Sequence, residues 1–315
     1  MNARSIDRAQ FRRGILSLLF PVAASLPLLA TPIADPCDRT ADALLQSCKR
    51  QAPADYWLER ARCTNLPTPS QRAACFAATY ATLQEALELC EDQHEERLDV
   101  CDDLGGGIYD PIVNPAQFVE GVNHPYFPLH PGTTLVYEKH TDEGVERIEV
   151  TTTDRKKVIL GVTCTEVRDV VTMRGVLIED TLDWFAQDAW GNVWYFGEIA
   201  LNFEDGELVD VGGSWRAGVD GAKPGIVMKA RPHIGDVYRQ EFLIGEAEDI
   251  AEVQSVSAAA VVPYGSFTHC IQTEDQTPIE PDVEELKFFA AGVGFVLAVN
   301  AKTGERTELV DIVRK

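Results

Sequence analysis

The sequence predicts an α+β protein: an N-terminal antiparallel helical hairpin bridged by disulfides, followed by a mainly antiparallel β domain, either a barrel or a curled half-barrel. Three observations carry this. Six cysteines are placed symmetrically about Pro69, at 6, 21 and 32 residues to either side. The segments that hold them, such as "RTADALLQSCKR" and "ADYWLERARC", are rich in helix formers. From Thr133 onward the chain breaks into short β-rich runs separated by turn residues, at a spacing of roughly ten residues.

Residues 1–34 come first and read as a signal peptide. Arg4, Arg8, Arg12 and Arg13 precede the apolar run "GILSLLFPVAASLPLLA", which Pro21 and Pro27 interrupt, and Ala30 or Ala34 is a plausible cleavage point. So short and proline-broken a run is a poor membrane span, and none is expected after cleavage. Ala34, Asp35 and Pro36 ahead of Cys37 do not make a lipobox. Export to the periplasm or the exterior is expected, where an even count of eight cysteines forms disulfides rather than metal thiolates. The chain has 28 basic and 50 acidic residues, a net charge of −22, which repels nucleic acid and anionic lipid head groups.

The hairpin is predicted over 37–104. Cys37, Cys48 and Cys63 are 11 and 15 residues apart, which keeps them within an arc of roughly 80° on one helix face. Cys75, Cys90 and Cys101 reverse the spacing. Antiparallel helices juxtapose residues of constant index sum, so the predicted pairs are Cys63–Cys75, Cys48–Cys90 and Cys37–Cys101. The apolar seam beside them, Ala41, Leu44, Leu45, Ala52, Tyr56, Ala78, Leu83, Ala86 and Leu98, is thin, and Glu59 and Arg60 stand where an apolar side chain is wanted. Pro53 is expected to kink or split the first arm. Thr68 or Ser70 is positioned to cap the second.

Residues 105–132, "GGGIYDPIVNPAQFVEGVNHPYFPLHPG", are crowded with Gly and Pro and read as a linker. The β domain then spans 133–315, with turns at "DEG" 142–144, "DAWGN" 188–192, "EDG" 204–206 and "KTGE" 302–305. Cys164 and Cys270 lie mid-strand and are expected to pair, two buried free thiols being the alternative.

The phrases "RLDVCDDLGGGIYDP", "NHPYFPLHPGTTLVYE", "DWFAQDAWGNVWYFGE", "VPYGSF" and "AGVGFVL" resemble a group of secreted bacterial proteins of uncharacterised function, from about Arg97 to the end. The resemblance brings no activity and no catalytic residue. It implies a DxDGN turn near position 190, where this chain has Trp190. The Gly-punctuated aromatic strands are also similar in style to half-barrel lipid and lipoprotein carriers of the periplasm, an architectural likeness only.

Catalytic constellations are lacking in the sequence. Neither Ser214 nor Ser266 sits in a GxSxG elbow, and the six histidines form no HxH or HExxH. The one metal candidate is calcium, at Asp180, Asp183, Asp188 and Asn192, although the same residue types also make hairpin turns. Trp184, Trp194, Tyr195, Phe196 and Trp215 gather aromatic area, and Trp184, Trp194, Phe196 and Trp215 are the candidates to line an apolar cleft. The sequence therefore favours a non-catalytic binding or structural protein, without a cofactor, whose β domain holds an apolar small molecule or a protein partner. A metal-assisted hydrolase and a self-associating subunit of an extracellular assembly are the alternatives.

Overall fold

The structure, a computed structural model, describes residues 35–314; the predicted signal peptide lies outside the described residues. Helix α1 (Pro36–Thr64) starts at Asp35, whose Oδ1 accepts the amides of Cys37 and Asp38 at 2.9 and 3.0 Å. Helix α2 (Pro69–Leu104) starts at Thr68 in a capping box with Gln71 and stops at Gly105, whose φ of 80° suits a residue without Cβ.

The three predicted disulfides are present, with Cα–Cα separations of 5.7, 5.7 and 5.5 Å for Cys37–Cys101, Cys48–Cys90 and Cys63–Cys75. Pro53 does not split the first arm: α1 is continuous through it. A proline costs one helix hydrogen bond and a steric clash, about 3 kcal/mol. The bridges at Cys48 and Cys63 flank Pro53 and tie both halves of the helix to α2, which offsets that cost. Arg60, out of place on an apolar seam, stacks over Phe76 at 4.9 Å and Trp57 at 5.7 Å and donates to Tyr56 Oη at 3.1 Å.

The predicted linker carries structure of its own: a 3₁₀ turn at Pro115–Gln117 and strands β1 (Phe118–Val119), β2 (Val122–His124) and β3 (Phe127–Leu129). A meander follows, β4 (Thr133–Thr141), β5 (Gly144–Ile159), β6 (Val162–Met173), β7 (Val176–Asp188) and β8 (Val193–Glu204). Short pieces succeed it, β9 (Glu207–Asp210), β10 (Trp215–Arg216), β11 (Lys223–Met228), β12 (Val237–Arg239) and β13 (Glu241–Phe242). A second meander ends the chain, β14 (Ile250–Val262), β15 (Gly265–Gln276), β16 (Glu284–Ala290), β17 (Gly294–Asn300) and β18 (Arg306–Arg314).

All pairings are antiparallel, and β18 joins β4, so the two meanders form one sheet in the order β12-β14-β15-β16-β17-β18-β4-β5-β6-β7-β8-β11-β13. Its two ends approach where β11 lies against β12, giving a nearly closed barrel. Arg97 of α2 fixes the hairpin to the barrel: its Nε and Nη2 donate to Glu248 at 2.9 and 3.0 Å, and both side chains are buried.

Cys164 and Cys270 are not bridged to each other; each is a buried free thiol. Cys164 is on β6 and Cys270 on β15, in opposite meanders and in separate core clusters, whereas a disulfide needs Cα atoms within about 7 Å. Burial pushes the Cys164 thiol up to about 12.

Candidate functional site: the barrel lumen

Side chains alternate along a strand, so half of each barrel strand faces inward. The inward residues line an open cavity of about 320 Å³. One wall is aromatic, with Phe185, Phe289 and Phe295, and is completed by Phe127 from the β2–β3 ribbon. The Phe127 ring sits 5.3 Å from Phe185 and 6.3 Å from Phe289. The ribbon is tied to β7 by Asn123 and Gln187, which exchange hydrogen bonds of 2.8 and 2.9 Å. Its other anchor is the Gly292 amide, which donates to Pro125 O at 2.7 Å just before β17.

Part of the lining is polar and shares strands with the rings, Asp183 standing two residues before Phe185 and Lys287 two before Phe289. Asp169 on β6, Asp183 on β7, Gln240, Glu241 on β13, Asp249 and Asp275 on β15 all border the space, and Lys287 on β16 is the one cationic side chain among its lining residues. Lys287 Nζ is 3.0 Å from Asp275, which also accepts from Thr273 at 2.5 Å and Gln240 at 3.0 Å. Burial opposes the Lys287 charge, but Asp275, Glu285 and Asp249 outweigh it and hold the ammonium above the usual lysine pKa.

The remaining acids have too little compensation. Burial, with Asp183 and Glu179 nearby, pushes Asp169 up to about 7. Burial and Glu198 push Asp183 up to about 7, against the bond from Tyr195. Glu198 is likewise raised to about 7 by burial. Burial also holds Glu241 well above its ordinary value, with Asp249 adding to it. Tyr195 Oη lies 2.5 Å from Asp183 and 3.0 Å from Glu198. A phenol has one proton, so it donates to one carboxyl and accepts from the other only if that other is protonated. Asp169 Oδ1 is buried without any hydrogen-bond partner among the described residues.

Of the sequence-predicted aromatic residues, only Tyr195 borders the cavity. Trp184 falls between the inward Asp183 and Phe185, and Trp194 and Phe196 flank the inward Tyr195, so these three point to the outer face. Phe118 of β1 covers Trp194 and Phe196 there, at 6.2 and 5.6 Å. Trp215 is buried beneath Tyr195, their rings 5.3 Å apart, as core packing.

The calcium candidates are not brought together. Asp180 is held by Arg168 through bonds of 2.7 and 2.6 Å, and Asp183 is in the lumen. Asp188 is saturated by the Trp190 and Asn192 amides, Asn192 Nδ2 and Trp194 Nε1, and Asn192 Oδ1 accepts from Ala230 at 2.9 Å. These residues build a hairpin turn, and among the described residues no group of His, Cys, Asp and Glu has the arrangement of a metal site.

No protein-family model and no curated protein sequence matches the chain. A solved structure with some likeness is a protein of Parabacteroides distasonis assigned provisionally as a lipoprotein, with a TM-score of 0.33, 10% identity, and coverage of 60% of this chain and 98% of that one. A likeness that weak supports neither fold nor function. The three disulfides are those of an extracellular or periplasmic protein. Among the described residues no helix is long and apolar enough to cross a membrane.

Proposed function

We propose that this is an exported, non-catalytic binding protein whose barrel lumen takes a small amphipathic molecule, with the disulfide-bridged hairpin as a rigid arm fixed to the barrel. The observation that carries this is a cavity of about 320 Å³ lined both by phenylalanine rings and by acidic side chains, one of which, Asp169, has a buried oxygen without a partner. A mostly apolar cavity with a few convergent polar groups is how small-molecule sites are built. The reading narrows the sequence expectation of an apolar ligand to one with a polar end, and moves the site from the outer tryptophans to the lumen.

Titration with the neutral fluorophore N-phenyl-1-naphthylamine tests it. Saturable binding is expected, with loss of affinity in Val227→Phe and Val293→Phe, each of which adds bulk at the lining. Intact far-UV circular dichroism separates lumen filling from unfolding. No saturable binding, or binding that neither substitution weakens, would remove the proposal.

A further inference from the structure

Which polar end the lumen accepts follows from its hydrogen and charge inventory, if the lumen is the binding site proposed above. Asp169, Asp183, Glu241, Asp249 and Asp275 face the space, and the single lysine is already spent on Asp275 and, at 3.8 Å, Glu285. Carboxylates accept hydrogen bonds and donate only when protonated. What the wall lacks is donors. One observation shows the lack independently of the number of acids: Asp169 Oδ1 is fully buried and unpaired.

We infer that the lumen binds an organic cation, a primary ammonium or guanidinium on an apolar body, with the cationic head between Asp169, Asp183 and Glu241 and the body against Phe127, Phe185 and Phe289. An anionic head would meet the acids with nothing to offset it. A bare metal ion would find no converging ligand set. A cationic head supplies several N–H donors at the carboxyl oxygens and the charge that lets the acids ionise. Asp169 and Asp183, which burial raises to about 7, then release protons to solvent on binding.

The test compares three ligands of equal chain length, decylamine, 1-decanol and decanoate, below their aggregation limits, by calorimetry on the full chain near pH 8. Decylamine is expected to bind at least about tenfold more tightly than 1-decanol, with decanoate weakest. Glu241→Gln and Asp169→Asn should each erase most of that preference. The surface variant Glu204→Gln, away from the lumen, should not, which separates the site from general attraction to an acidic protein. Comparable affinity for the amine and the alcohol would overturn the cation inference and leave the lumen as a site. Saturable binding of none of the three would overturn the lumen reading itself. One-to-one displacement of decylamine by calcium would assign the acids to an inorganic ion and overturn the inference. If Asp169→Asn fails to fold, Glu241→Gln alone decides.

Discussion

Arg97→Met is the sharpest perturbation of the contact that joins hairpin to barrel. Arg97 and Glu248 side chains are 10% and 6% exposed, and the two N–H···O bonds of 2.9 and 3.0 Å are the fork-on-carboxylate arrangement. Met keeps the apolar stem but removes both donors and the charge. Glu248 Oε1 keeps the Gly245 amide at 2.7 Å, whereas Oε2 is left buried and bare. Breaking a buried pair from one side costs about 3–5 kcal/mol, most of it the stranded charge rather than the lost attraction. Urea unfolding followed by far-UV circular dichroism should therefore show a much lower midpoint for Arg97→Met. Adding Glu248→Gln removes the charge and keeps an acceptor for Gly245, and should restore about half of the loss or more. If Arg97→Met costs less than about 1 kcal/mol, or the double variant is no better than the single one, the pair is not the buried anchor described here.

Other outcomes follow from the same structure. The acids raised to about 7, Asp169, Asp183 and Glu198, bind more protons folded than unfolded between about pH 4 and pH 7, so unfolding free energy should fall as pH rises through that window and level off above it. Urea midpoints from about pH 4.5 to pH 8 read this, Asp183→Asn should flatten the slope, and stability that rises across the window would refute it. Among the disulfides, loop-closure entropy assigns about 4 kcal/mol to Cys48–Cys90 and about 3 to Cys63–Cys75, given loops of 42 and 12 residues; paired Cys→Ser variants compared by denaturant titration test that order. Iodoacetamide should leave Cys164 and Cys270 unmodified in the native protein and label both in guanidinium, and a peptide map showing them joined would contradict the structure.

The hairpin was legible because its geometry is local. In two antiparallel helices the partner of residue i is set by the turn alone, so Cys37 could be matched to Cys101 across 64 residues with one constant. The meanders were legible for a similar reason: each hairpin turn places consecutive strands side by side, as "KTGE" does for β17 and β18. Closure of the barrel is a different kind of fact. Asp183 and Glu241 approach each other only because β8, β11 and β13 follow in the sheet while the chain itself wanders through four short strands, β9 to β12, before reaching β13. No local periodicity marks that.

Trp194 and Phe196 lie outside the lumen because β8 is covered on both faces. In "VWYFGE" the lumen takes Tyr195 while Phe118 covers Trp194 and Phe196 from outside, so alternation, the signal that separates inside from outside, is erased. On β6 the signal did survive. Val167, Asp169 and Val171 share one parity, of which Val167 and Asp169 line the lumen, and Arg168 on the opposite parity reaches out to Asp180. An acid in the apolar phase of a strand costs several kcal/mol unless something meets it, so Asp169 is the residue from which the lumen could have been inferred without the fold. The same cost is what raises Asp169 to about 7, and it makes a donor-bearing head the natural complement.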